Sequence, residues 1–193
     1  MGYYIYGWRH VPVDISCLGT KANSTRPEIE QILISNAKGV DEETFERELY
    51  VIRRRIEKAA AAVNGFYICS MSCRSIIYKG MMLAEQVSVF YPDLEDERFI
   101  SAFAIYHQRY STNTFPQWKL AQPFRVLAHN GEINTILGNV NWMKSHEARL
   151  DHDGFGHSIE DLKPIVQPGA SDSSALDNVF ELLVRGHRNL PMV

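Results

Sequence analysis

With 193 residues, 45% of them hydrophobic and 22% charged, the chain is long enough for one domain with its own core and has the composition of an ordinary globular protein. A formal net charge of −3 offers no basic field to nucleic acid, and no stretch reaches the ~18 apolar residues that cross a bilayer. Cys17, Cys69 and Cys73 are an odd set without a second pair, which argues against a disulfide framework and a four-ligand zinc site. No signal peptide or acylation signal is read at the Met-Gly start, so the expectation is a soluble cytoplasmic chain that binds neither nucleic acid, membrane nor metal.

The aromatic start, residues 1–19, predicts a short edge strand and then, from Val11-Pro12-Val13-Asp14, a loop. Trp8, Arg9 and His10 are read as packing residues. Pro27 is placed at the head of a short helix or turn, with Ile29, Ile32 and Leu33 as its apolar face. From Asp41, the positions Phe45, Leu49, Ile52, Ile56, Ala59 and Val63 step by fours and threes towards Asn64-Gly65, which predicts a long amphipathic helix. Its Arg53-Arg54-Arg55 run, beside Glu46, Glu48 and Glu57, reads as a solvated face rather than a phosphate site.

Two strands, 66–71 and 75–78, are expected around a turn near Ser72-Cys73-Arg74, followed by a short helix over 81–89 that Tyr91-Pro92 breaks. Cys69 and Cys73 read as buried or half-buried thiols. Residues 101–106 form a continuous apolar run that suits a strand buried on both faces, and 124–128 form a shorter one. Each ends in a polar signature, His107-Gln108-Arg109-Tyr110-Ser111-Thr112 in the first case and His129-Asn130-Gly131-Glu132 in the second.

Ile136, Val140 and Met143 mark a further helix, and residues 150–168 read as a surface loop in which Asp151, His152, Asp153 and His157 only imitate a metal site. The loop Pro168-Gly169-Ala170-Ser171-Asp172-Ser173-Ser174 runs into a last helix over 173–185, with Leu176, Val179, Phe180 and Leu183 on one stripe. Buried strands between amphipathic helices imply a sheet layer covered by helices.

An Asn-Gly pair is by itself a hairpin turn. It can also present two donors, a free backbone N–H and a side-chain amide, to the oxygen of a tetrahedral acyl-transfer intermediate. An Arg, an Asn-Gly and an Asp in that order can take the carboxylate, acyl oxygen and ammonium of an amino acid. Asp172 has a rival local role as a helix cap.

HQRYSTNTFPQW (107–118), LAHNGEINTILGNVNWM (127–143) and PGASDSSALDNVFELL (168–183) resemble the class II glutamine amidotransferase domains of glutamate synthases. GWRHVPVD (7–14), IYKGMMLAEQVSVFYPDL (77–94) and the final LPMV extend the likeness over nearly the whole chain. The resemblance implies an α+β fold, the four-layer α-β-β-α sandwich of N-terminal nucleophile hydrolases, with residues 1–193 as the central part of a single domain that is incomplete at its N-terminus.

It further implies a glutaminase in which Arg109 holds the substrate carboxylate, Asp172 its ammonium, and Asn130 with Gly131 the oxyanion. Tyr110, Thr112 and His129 shape the same pocket. The implied nucleophile is an N-terminal cysteine of the processed parent, expected to lie outside this chain, so the isolated chain is expected to be inactive. No cofactor is expected in this domain; FMN and an iron–sulfur cluster are implied elsewhere in the parent.

The implied partners are L-glutamine, the synthase domain of the same parent, and a small electron-transfer subunit or ferredoxin. The ammonia would serve conversion of 2-oxoglutarate to glutamate in nitrogen assimilation. A non-catalytic glutamine-binding or interaction module is the alternative.

Overall fold

The computed structural model describes residues 2–110, 114–188 and 191. It is an α+β arrangement in which one small antiparallel sheet stands beside helices. Strand β1 (Tyr4–His10) pairs with β2 (Glu30–Ser35) in a register running from Tyr4 opposite Ser35 to His10 opposite Glu30, with an irregularity between Ile5 and Gly7. Between them lie a 3-10 turn at Ile15–Cys17 and the five-residue helix α1 (Thr20–Ser24).

The strand β2 corrects the expectation of a short helix or turn after Pro27. Ile32 and Ile34 are β-branched, and the Val11 N–H bonds to the Ile29 carbonyl at 2.9 Å, so the ladder extends back almost to the proline.

The long helix α2 (Glu42–Ala59) begins at Asp41, whose carboxylate accepts from the Thr44 N–H at 2.9 Å. Its expected solvated basic face is instead mostly interior. Arg53 and Arg54 are each 2% exposed, while Arg55 stays at the surface with Asp161. Arg53 meets Glu57 at 2.7 Å and Glu181 at 2.6 Å; Arg54 meets Glu57 at 2.6 Å and the Leu162 and Pro164 carbonyls. Of the neighbouring acids read as evidence of a wet face, Glu57 is, with Glu181, the counter-charge that lets these guanidiniums be buried, while Glu46 pairs with Arg185 and Glu48 with Lys38.

In place of the single helix expected over 81–89, a 3-10 turn at Ala84–Gln86 leads into the four-residue helix α3 (Val87–Phe90). Phe90 and Tyr91 join Val11 and Trp118 in one apolar cluster. Helix α4 (Ile136–Glu147) occupies the expected place but buries none of its residues, and Leu137 and Trp142 face outward.

The segment read as a surface loop carries the main core. The helix α5 (Ile159–Leu162) and its flanks bring Phe155, Ile159, Leu162 and Ile165 against Tyr50 and Val51 of α2 and Leu182 of α6 (Asp172–Arg185). His152 stacks on His187 there, and among the described residues no group of three or more His, Cys, Asp and Glu is placed to hold a metal ion.

Four predicted strands do not form. Residues 66–71 and 75–78 run as irregular chain whose contacts use side chains: the Ile77 N–H bonds to Ser70 Oγ, and Cys69 Sγ lies on the Ile77 carbonyl. In 124–128 the Val126 and Leu127 N–H groups are taken by the Asp177 carboxylate, which leaves them nothing for a ladder. Residues 101–106 have no pairing strand among the described residues, and Phe103 is 75% exposed. An apolar run becomes a strand only where a partner supplies the other half of its hydrogen bonds.

Candidate functional site

The last helix organises the site, and its buried face is the polar one. Ser173, Asp177 and Glu181 follow one another at four-residue steps and are all buried, while the predicted stripe of Leu176, Val179, Phe180 and Leu183 is only half-buried. Ser171 caps the helix by accepting from the Ser174 N–H at 3.2 Å, and Gly169 precedes it with φ 75°, a conformation that suits a residue without Cβ.

That face receives the segment 122–133. Asp177, 0% exposed, accepts from Val126 N–H at 2.9 Å and Leu127 N–H at 3.3 Å. Asp172 accepts from Ile133 N–H at 3.0 Å and from Ser173 N–H at 2.6 Å. The His129 imidazole lies 3.1 Å from Ser173 Oγ. Gln122 brackets the His129 backbone from the other side, accepting from its N–H at 2.6 Å and donating to its carbonyl at 2.5 Å.

Asn130 and Gly131 therefore sit exposed at the tip of a segment that is fastened before and after them to one helix. A Cβ at Gly131 would stand 2.7 Å from the His129 ring, so a side chain there would require that ring to shift.

The sequence-predicted residues do not all meet. His129, Asn130, Gly131 and Asp172 belong to one constellation. The Asp172 carboxylate serves Ile133 and Ser173, so it ties the two loops together while Ser171 does the capping.

Arg109 is exposed; its backbone N–H reaches the His107 ring at 3.2 Å, and no hydrogen bond or ion pair joins it to that constellation among the described residues. The Tyr110 hydroxyl donates to the Gln117 carbonyl at 2.9 Å, and burial raises its pKa. Thr112 lies outside the described residues.

Sequence reading missed Gln122, Ser173 and Asp177. The last two carried a signal, since polar residues four apart on a helix share a face; without knowing what covers that face, it reads as solvated.

Charge beneath the site is dense. Burial, and then Glu181, push the Asp177 carboxyl up despite its two N–H donors. Arg125 links the region to α2 by meeting Glu57 at 3.1 Å, and burial followed by Arg53 lowers its pKa. Neither Cys69 nor Cys73 is activated. Burial raises the first, and partial desolvation with Glu46 and Glu42 raises the second to about 11.

The arrangement thus holds an exposed Asn-Gly pair beside an anchoring carboxylate, and among these two thiols offers no ready nucleophile.

The model of the class II glutamine amidotransferases matches residues 1–193. The chain is a member of that family. It is 67% identical to the glutamate synthase [NADPH] large chain of Azospirillum brasilense, over 100% of this chain and 13% of that protein. It is 48% identical to the chloroplastic ferredoxin-dependent glutamate synthase of Oryza sativa subsp. japonica, over 97% of this chain and 12% of that protein.

A third relative, the glutamate synthase [NADPH] large chain of Bacillus subtilis, is 46% identical over 97% of this chain and 12% of its own length. This amidotransferase chain therefore spans about an eighth of the relatives it matches. Among the described residues no helix is long and apolar enough to cross a membrane.

Proposed function

We propose that the chain is the central part of the glutaminase domain of a glutamate synthase, releasing ammonia from L-glutamine for use on 2-oxoglutarate in the same longer protein. The observation that carries this reading is the His129-Asn130-Gly131 segment fastened to the helix that begins at Asp172.

A thiolate from outside this sequence attacks the side-chain amide carbon of glutamine. The amide oxygen becomes an oxyanion facing the Asn130 amide and the Gly131 N–H. Ammonia leaves, and water hydrolyses the γ-glutamyl thioester. Asp172 takes the substrate ammonium and Arg109 its carboxylate as a two-pronged fork, with Tyr110, Thr112 and His129 shaping the pocket.

Arg109 swings in from the exposed segment ahead of it. In the longer protein that segment, 101–106, joins a sheet of a four-layer α-β-β-α sandwich, which would cover the apolar surface it otherwise leaves in water.

Among the described residues no group of His, Cys, Asp and Glu has the arrangement a metal needs, and Cys17, Cys69 and Cys73 bond to separate parts of the chain. In this reading flavin and iron–sulfur chemistry, and a small electron-transfer subunit or ferredoxin as electron donor, belong to the remainder of the longer protein.

Calorimetric titration of the full-length protein with L-glutamine, with D-glutamine as control, tests the pocket. Stereospecific binding lost in Asp172→Ala is expected. Binding that survives the substitution unchanged removes Asp172 from the substrate site.

A further inference from the structure

We propose that Gln122 is the positioning residue of the oxyanion hole: its side-chain amide stands in for a neighbouring strand and fixes the peptide plane from which Asn130 and Gly131 project. The inference rests on the reading of those two residues as oxyanion donors.

Gln122 is buried, and both ends of its amide are used on one residue, with Oε1 accepting from His129 N–H at 2.6 Å and Nε2 donating to the His129 carbonyl at 2.5 Å. A residue that exchanges both bonds with its opposite number is the hydrogen-bonded pair of an antiparallel ladder. Here a rigid planar amide does that work at a place where, among the described residues, no strand lies beside the backbone.

The consequence passes directly to the next two residues. The His129 carbonyl belongs to the peptide that carries the Asn130 N–H, so holding that carbonyl sets the direction in which Asn130 leaves. The His129 ring is held 3.1 Å from Ser173 Oγ and lies against the bare α-carbon of Gly131, so its orientation also limits that of the Gly131 peptide. Asp177 fixes the chain two and three residues earlier, at Val126 and Leu127, but does not reach His129. Among these contacts only Gln122 grips both polar groups of the residue that precedes the donors.

A side chain that acts this way contributes to the transition state rather than to substrate binding, because the oxyanion exists only there. The test compares Gln122→Met, which removes both bonds at similar volume, and Gln122→Glu, which turns a carboxylate oxygen towards the His129 carbonyl. Each is made in the full-length protein, alone and with Asn130→Ala.

Glutamine turnover is expected to fall about tenfold to a hundredfold in each single variant while the KM for L-glutamine stays within about threefold. On top of Asn130→Ala the same substitution should lower turnover by less than about threefold, because residues that act through one another are not additive. Additive losses, a change confined to KM, or failure of both variants to fold would overturn the inference, since the role would then lie in general structure. Turnover lost in Asn130→Ala but retained in both Gln122 variants contradicts it alone; turnover untouched in all three contradicts the oxyanion reading beneath it.

Discussion

Gly131 and Arg109 mark the two ends of what single residues can do in this chain. Gly131 meets a close approach, because a Cβ there would stand 2.7 Å from the His129 ring, which would have to move to admit a side chain. Arg109 is exposed, with its backbone N–H on the His107 ring, and the role proposed for it depends on chemistry it meets with substrate. A guanidinium grips a carboxylate with two parallel N–H donors, whereas an ammonium is a point charge.

Arg109→Lys in the full-length protein is therefore expected to weaken glutamine binding about tenfold or more, measured as KM, with a smaller effect on turnover. An unaltered KM removes Arg109 from the carboxylate site. The polar signatures around these residues were legible because they are chemistry written in consecutive letters. Gln122 was not, since a lone Gln before Pro123 becomes informative only once His129 is seen beside it.

The pairing of α2 with α6 shows the limits of pattern at the scale of elements. Both helices were legible from their periodicity, α6 nearly to its ends, whereas α2 stops at Ala59, short of the Asn64-Gly65 expected to end it. Which side faced inward was not, because hydrophobic periodicity assumes that the interior is apolar. Here Arg53, Arg54 and Glu57 of α2, with Asp177 and Glu181 of α6, fill the space instead.

Removing one partner of a buried ion pair leaves the other charge uncompensated. Arg53→Ala should cost about 3–5 kcal/mol in urea unfolding, whereas Arg55→Ala, at the surface against Asp161, should stay within about 0.5 kcal/mol. Equal effects of the two would refute the interior placement of Arg53. The failed strands belong to this scale too. A run such as 101–106 declares its appetite for burial but not its partner, and pairing is a property of two segments.

For the molecule as a whole, the buried charges predict how stability follows pH. Burial alone would raise the Glu57 carboxyl, but Arg53 and Arg125 outweigh it and hold it below the ordinary 4.5. Glu46 is lowered likewise, where the bonds from Ser72 and Cys73 together with Arg185 overcome burial. A carboxylate depressed on folding contributes stability above its unfolded pKa that is lost as the pH falls through the folded value.

Asp177, being raised, works in the opposite direction and partly offsets the loss. The thermal midpoint should therefore change little from about pH 7 to 5 and fall below about 4.5, less steeply in Glu57→Gln; a midpoint constant down to about pH 3 would contradict this account. The same scale explains why architecture was less legible than chemistry. The chain is about an eighth of its relatives' length, and surfaces such as Phe103 and Tyr106 take their meaning from what covers them.

The most direct measurement is ammonia release from L-glutamine by the full-length protein with Asn130 intact and with Asn130→Ala. Loss of one oxyanion donor should lower turnover about a hundredfold or more while glutamine still binds. An unchanged rate would mean that the segment fastened to the Asp172 helix does not hold the oxyanion, and the central assignment would fall with it.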